Sequence, residues 1–337
     1  AAVHCVIVGF GLQDVAEKTI FEYADIKGEA LAVPVSNINP YLVDAPDLVL
    51  EKRNQPICLV PTISYGSMAN DDGHLLLDKE QRNALIAAEP ATAPYIRRYM
   101  GAQEFLNNAE RWCLWLKDIS PSLMRSSNEL RHRIEAVRKF RASSNREATR
   151  NLAATPSLFG EDRQPLKSYL LLPKVSSENR PYMPIGFMPS EVIANGSALT
   201  ISDSGHYEMG VLQSKMHMAW MRAVAGRMKS DYQYSAQIVY NNFPWPDLPE
   251  KLEPNQPQTP THKAQAAIEK AAQAVLDARA QFPGSSLADL YDPLTMPPAL
   301  LKAHQKLDAA VDAAYALVGG KKTWKNDAER VAFLFER

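Results

Sequence analysis

Between Pro246 and Pro260 the chain reads PDLPEKLEPNQPQTP, five prolines in fifteen residues. Proline fixes its own φ, donates no backbone hydrogen bond and pushes the preceding residue out of the helical region. Neither a helix nor a central strand can cross such a stretch. The segment therefore reads as a semi-rigid linker that divides the chain near residue 250. After it, residues 261–282 form an Ala-rich stretch with helical spacing, 298–318 predict another helix and 326–335 a short last one. Before it, short apolar runs alternate with single helices.

In that first part, DKEQRNALIAA predicts a helix from Asp78 to Ala88, with Asp78 as cap and Gln81 in the capping-box position. The run WCLWL, ending at Leu116, predicts a core strand. A second helix is expected from Ser126, with Glu129 as its capping-box partner. Its Leu130, Ile134, Val137 and Phe140 share a buried face, and the arginines and Lys139 fill the other faces. KSYLLLP, YMPIGF and ALTIS predict strands, and Gly210 to Met228 a third helix whose Met and Trp residues pack in the core. IVYNNFPWP reads as a strand running into prolines. At the front, AAVHCVIVGF reads as a buried strand with no lead-in, as expected of a piece of a larger protein.

Composition narrows the function classes. No apolar run reaches the roughly 18 residues of a membrane span, and no secretory leader is read. Cys5, Cys58 and Cys113 are far apart, so a zinc or disulfide framework is not expected. A reducing cytoplasm fits, with each thiol a small buried apolar group. The formal net charge is -1. Yet residues 121–180 carry about +6, from Arg125, Arg131, Arg133, Arg138, Lys139, Arg141, Arg146, Arg150, Arg163, Lys167, Lys174 and Arg180 against six acids. For nucleic acid, such a distribution matters more than the sum.

Catalytic signatures are missing: no GxSxG elbow, no Walker loop and no HExxH pair. Gly9-Phe10-Gly11 follows the first apolar run, but a dinucleotide fingerprint needs a third glycine where Asp14 stands, and TIFEYAD reads as a strand. Asn39-Pro40-Tyr41 lacks one proline of the N-P-P-Y signature of amino-methyltransferases and reads as a turn. His304, Asp308 and Asp312 share a helix face, which suits helix packing better than a metal. Asn70, Asp71, Asp72 and His74 around Gly73 read as another turn.

Positive chemistry lies in the basic helix and in the loop KVSSENRPY. Ser176 and Ser177 suit phosphate oxygens, Asn179 the paired edge of adenine, and Arg180 guanine or phosphate.

The blocks EFLNNAERWCLWL, VSSENRPYMPIGF, GVLQSKMHMAWMRAVAGRMKSDYQYS and IVYNNFPWP closely resemble MmeI-like type II restriction–modification enzymes. So do LADLYDPLTMPPALLKAHQKLDAAVDAAY and AERVAFLFER near the end. The resemblance implies an α+β fold: a mixed-sheet target-recognition domain with packed helices over 37–249, then a small helical domain over 250–337. It assigns 1–36 to terminal strands of a truncated methyltransferase domain. It further implies double-stranded DNA as partner and an adenine methyltransferase domain upstream, and leaves open whether a nuclease domain precedes that. S-adenosylmethionine would be bound by that parent and no cofactor by this piece, which has no catalytic motif of its own. Within this frame Arg131, Arg133, Arg138, Lys139 and Arg141 are expected on phosphates. Lys174, Ser176, Ser177, Asn179, Arg180 and Tyr182 are the recognition-loop candidates. The competing expectations are an assembly or dimerisation module with a basic docking helix, and a nucleotide-dependent enzyme using the Gly9–Gly11 turn.

Overall fold

A computed structural model describes residues 6–23, 28–246 and 259–337. The front of the chain departs from expectation. Residues 6–10 carry no strand and are exposed, Ile7 and Phe10 each at 97%. An extended run becomes a strand only when a neighbour takes its backbone groups, and among the described residues none does so here. Cys5 and most of the proline-rich linker lie outside the described residues. Strand β1 (Lys18–Glu22), from the expected TIFEYAD segment, pairs antiparallel with β2 (Leu31–Val35), Ile20 opposite Val33.

Residues 37–61 have no regular structure, so their backbone groups need other partners. The YNNFPWP block supplies several of them. Asn242 donates to the carbonyl of Glu51 at 3.0 Å, Asn241 to that of Arg53 at 2.7 Å, and Tyr240 Oη to that of Pro61 at 2.6 Å. Asn39 closes the expected turn: its Oδ1 accepts from the backbone N–H of Tyr41 at 2.9 Å, and Leu42 sits at φ +61°.

The following elements are β3 (Ile63–Tyr65), β4 (Leu76–Leu77), α1 (Lys79–Ala88), β5 (Ile96–Met100), α2 (Ala102–Asn107), β6 (Trp112–Leu114), α3 (Pro121–Ser126), α4 (Asn128–Ala142) and α5 (Glu147–Asn151). Helix α1 has the expected Asp78–Gln81 capping box. Helix α4 is capped by Ser127, one residue later than expected, because Ser126 closes α3. Its N-terminal N–H groups also meet a distant carboxylate. Glu89 Oε1 accepts from the N–H of Asn128 at 3.0 Å and of Glu129 at 3.2 Å, and Ser127 Oγ donates to Glu89 Oε2. A negative charge at that end complements the helix dipole.

Next come β7 (Tyr169–Pro173), β8 (Val175–Ser176), β9 (Gly186–Met188), β10 (Ile193–Ala194), β11 (Ala198–Ser202), α6 (His206–Leu212) and α7 (Lys215–Val224). The expected third helix is thus two. Gln213 ends one and Ser214 caps the other, accepting from the N–H of His217. Its last residues form a strand instead: β12 (Gly226–Met228) pairs with β13 (Asp231–Gln233). IVYNNFPWP, expected as a strand, opens with a π-helical turn, Ala236–Tyr240. The chain closes with α8 (Pro260–Ala280), α9 (Leu287–Leu290), α10 (Pro298–Ala316) and α11 (Asp327–Glu336).

The strands form small sheets: β10-β5-β6-β4 is mixed, with β10 parallel to β5, whereas β3-β11-β7-β9 and β12-β13-β8 are antiparallel throughout. The architecture is α+β, as expected. The first sheet packs on Leu130, Ile134 and Val137 of α4. The largest core runs across the linker and joins Leu170, Leu199, Trp220 and Phe243 to Ile268, Leu307, Tyr315 and Phe335 of the closing helices. Gly210 of α6 permits that approach: a Cβ there would lie 2.7 Å from Ile268 Cγ2.

Candidate nucleic-acid interface

Helix α4 separates its charges by face. Leu130, Ile134, Val137 and Arg141 point into the protein, while Phe140, expected on that face, is exposed together with Arg131, Arg138 and Lys139. Arg131 hydrogen-bonds Asn128, and Arg138 lies 3.5 Å from Glu135. Such exposed pairs are weak and exchange readily for other anions. Arg146 and Arg150 extend the exposed basic run past the helix end.

Two of the expected phosphate contacts are engaged elsewhere. Arg141 is fully buried. Its guanidinium donates five hydrogen bonds of 2.7–3.0 Å to the carbonyls of Ala69, Asn70, Leu152, Thr155 and Leu158. It fastens the 69–74 turn and the 152–158 segment to α4 and has no donor left for DNA. Arg133 is half-buried, bound to Glu129 at 2.7 Å and to the carbonyl of His74 at 3.0 Å. Both corrections share one cause: a long cation beside orphan carbonyls satisfies them more effectively than water can reach them. The spacing 130, 134, 137, 141 already puts Arg141 on the apolar stripe, which is the signal the sequence offered.

The loop after β7 is braced by β13, which lies beyond the helix expected over Gly210 to Met228. Tyr232 of β13 pairs with Ser176 of β8, and the N–H of Tyr234 reaches the carbonyl of Lys174 at 2.8 Å. Ser177 closes a turn: its carbonyl accepts from the N–H of Arg180 at 3.2 Å and its Oγ from that of Asn179 at 3.3 Å. The turn leaves Asn179 exposed. Lys174 Nζ lies 5.3 Å from the centre of the Tyr65 ring.

Ser176 and Tyr182 are corrected to structural roles. Ser176 is buried, its Oγ 3.4 Å from Arg180 Nη1. Tyr182 is buried, stacks on His304 at 4.0 Å between ring centres and donates from Oη to Asp308 Oδ2 at 2.7 Å. Arg180 is half-buried. Burial lowers its pKa, opposed by the charges of Asp231 and Asp292.

The interface therefore has two parts. The loop is tied to β13 by the Tyr232–Ser176 pairing and the N–H of Glu178, and to α10 through Tyr182; α4 is tied to the 69–74 turn and the 152–158 segment. What the sequence missed is the ribbon β12–β13. Arg227 lies 3.7 Å from Glu178 of the loop, and the N–H of Glu178 points to Asp231 Oδ1 at 3.4 Å. Lys229-Ser230-Asp231, following Gly226, was the turn signal available.

The remaining polar groups belong to packing. Asp308 accepts from Tyr182 and from the N–H of Lys215 at 2.7 Å, Asp312 pairs with Arg330 at 2.9 Å, and His304 Nε2 meets Tyr291 Oη at 2.9 Å. Among the described residues no group of three His, Cys, Asp or Glu is placed to hold a metal. Asp71 Oδ2 accepts from the N–H of Leu75, which makes the 70–74 segment a turn as expected.

Residues 44–247 match the family described as MmeI, target recognition domain, and residues 260–337 the one described as MmeI, C-terminal domain. The chain belongs to the MmeI family. It is 36% identical over 336 residues to DNA methyltransferase A of Bacillus subtilis (strain 168), covering 100% of this chain and 36% of that protein. It superposes with a TM-score of 0.84, at 46% identity, on the type IIL restriction–modification enzyme MmeI solved in complex with DNA. That match covers 97% of this chain and 41% of the solved one. This MmeI-family chain thus spans well under half the length of either relative.

Proposed function

We propose that the chain grips and selects duplex DNA for an S-adenosylmethionine-dependent, adenine-specific methyltransferase of a restriction–modification system. The likeness to MmeI in complex with DNA, at 46% identity and a TM-score of 0.84, carries this reading. The exposed Arg131, Arg138 and Lys139 of α4 supply charge for phosphates, and Asn179 offers an amide suited to an adenine edge. The cofactor is assigned to the methyltransferase part of the longer protein, the proposed partner of this piece. This chain's residues hold and orient the duplex. Extruding a base costs a few kcal/mol, and that contact surface offsets it. Among the described residues no helix is long and apolar enough to cross a membrane. A cytoplasmic setting suits a DNA-acting system.

The test is a titration of the whole chain with a labelled duplex at several salt concentrations. Binding is expected, with log K falling linearly as log salt rises. The ribbon β1–β2 favours a second reading, an assembly module, because it leaves Phe21 60% and Leu31 65% exposed. Tight self-association without DNA affinity at low salt establishes that reading and ends the first.

A further inference from the structure

The backbone that leaves the recognition loop, Tyr182 to Ile185, is held by side chains from elsewhere in the fold. Asp308 Oδ2 of α10 accepts from Tyr182 Oη at 2.7 Å. Gln213, between α6 and α7, donates from Nε2 to the carbonyl of Met183 at 3.0 Å. Arg279 of α8 donates from Nη1 to the carbonyl of Ile185 at 2.6 Å. Asp308 and Arg279 lie beyond the proline-rich linker, in the closing helices.

These holders are also joined to one another. Arg279 Nε donates to Tyr291 Oη at 2.7 Å, Tyr291 Oη meets His304 Nε2 at 2.9 Å, and the His304 ring stacks on Tyr182 at 4.0 Å. The contacts run from Tyr182 through His304, Tyr291 and Arg279 to Ile185, and the backbone closes the ring. Tyr182, Ile185, Tyr291 and His304 are buried. Apolar packing by itself tolerates sliding, whereas directional bonds in a buried site fix one register.

The ring grips the chain next to the candidate reading groups. Pro181 alone separates Tyr182 from Arg180. Proline fixes its own φ and keeps the residue before it extended, so few free torsions lie between the anchor and Arg180. At the other end of the loop, Ser176 is paired with Tyr232. Residues 177–180 are thus spanned between two fixed ends. Against the burial that disfavours the Arg180 charge stand Asp231 of the ribbon and Asp292, which follows α9. A loop ordered before its ligand arrives has little freedom left to lose on binding. Hydrogen bonds to base edges demand such placement, while attraction to phosphate falls only gradually with distance.

We propose that Asp308, His304 and Arg279 of the closing helices are positioning residues for target selection: acting through Tyr182 and Ile185, they set Asn179 and Arg180 for base edges before the duplex arrives. This rests on the duplex-DNA reading above and deepens it.

The experiment uses the whole chain and its Tyr182→Phe and Arg279→Met variants. Tyr182→Phe keeps the stacked ring and loses the bond to Asp308. Arg279→Met keeps an apolar stem and loses the bonds to Ile185 and Tyr291. A preferred duplex is selected from a random-sequence pool with the unmutated chain, and its affinity is compared with that of an unrelated duplex of equal length. Each variant is expected to narrow that gap about tenfold, the share of one paired base contact, with the salt slope unchanged. Amide hydrogen exchange at Glu178 and Arg180 of the free chain should speed up in both. Partial unfolding alone lowers the active fraction, which weakens both duplexes alike and leaves the gap as it was. Where the unmutated chain discriminates, an unchanged gap or unchanged loop exchange in both variants overturns the positioning role alone. An unmutated chain that fails to bind at low salt, or binds every duplex equally, overturns the reading beneath it and the positioning role as well.

Discussion

The phenol of Tyr182 donates to Oδ2 of Asp308 at 2.7 Å, joining the end of the recognition loop to helix α10. Burial is the main influence on that carboxyl and raises its pKa to about 6, against the hydrogen bonds from Tyr182 and Lys215. The folded value thus lies above the ordinary 3.8. Between the two, the folded state binds more proton than the unfolded one. This group's contribution to stability is therefore fully present below about pH 3.8 and is lost as pH rises through about 6. Denaturant titrations should show the unmutated chain losing about 3 kcal/mol relative to Asp308→Asn between those limits. Tyr182→Phe removes a donor, so its descending limb should move to higher pH, with about 1–3 kcal/mol lost near neutrality.

Arg141 is predicted to be a folding residue. Arg141→Ala strands five carbonyls in a buried site and should destabilise by about 3–5 kcal/mol. Arg141→Lys recovers only part of this, since an ammonium has three donors where the guanidinium uses all five. Thermal and urea unfolding check it. If Arg141→Ala unfolds like the unmutated chain, the carbonyl-clamp role is wrong.

Gly210→Ala sets two effects against each other. Helix propensity favours alanine by about 1 kcal/mol. Against it, the new methyl meets Ile268 Cγ2 at 2.7 Å, Leu307 Cδ1 at 3.2 Å and Ala272 Cβ at 3.3 Å. Overpacking a filled core costs about 1–3 kcal/mol, so net destabilisation is expected. A variant more stable than the parent in urea would mean that α6 and α8 separate more easily than the packing indicates.

The exposed residues should divide by role. Arg131→Ala, Arg138→Ala and Lys139→Ala are each expected to lower the salt slope of duplex binding by about one, whatever the sequence. Asn179→Ala should instead narrow the gap between preferred and other duplexes by about 1–3 kcal/mol, visible in competition titrations. Ser176→Ala should leave the salt slope unchanged, because Ser176 Oγ is buried beside Arg180.

Local patterns in the sequence were enough for features with local causes. The Asp78 cap, the apolar stripe of α4, the turns at Asn39 and Gly73, the two long closing helices and the short last one depend on residues within a few positions of one another. A one-dimensional reading captures such spacings. The resemblance in the long shared blocks added the family. Tertiary structure decided what depends on distant partners. Residues 6–10 are apolar enough for a strand but have none to pair with among the described residues. Arg141 looked like its exposed neighbours until the carbonyls of residues 69–70 and 152–158 closed around it. Tyr182 left the recognition loop for Asp308, 126 residues away. Gly226 to Met228 became a strand because β13 offered an edge. A side chain's charge is written in the sequence; whether it meets solvent or a carbonyl depends on which distant backbone needs a donor.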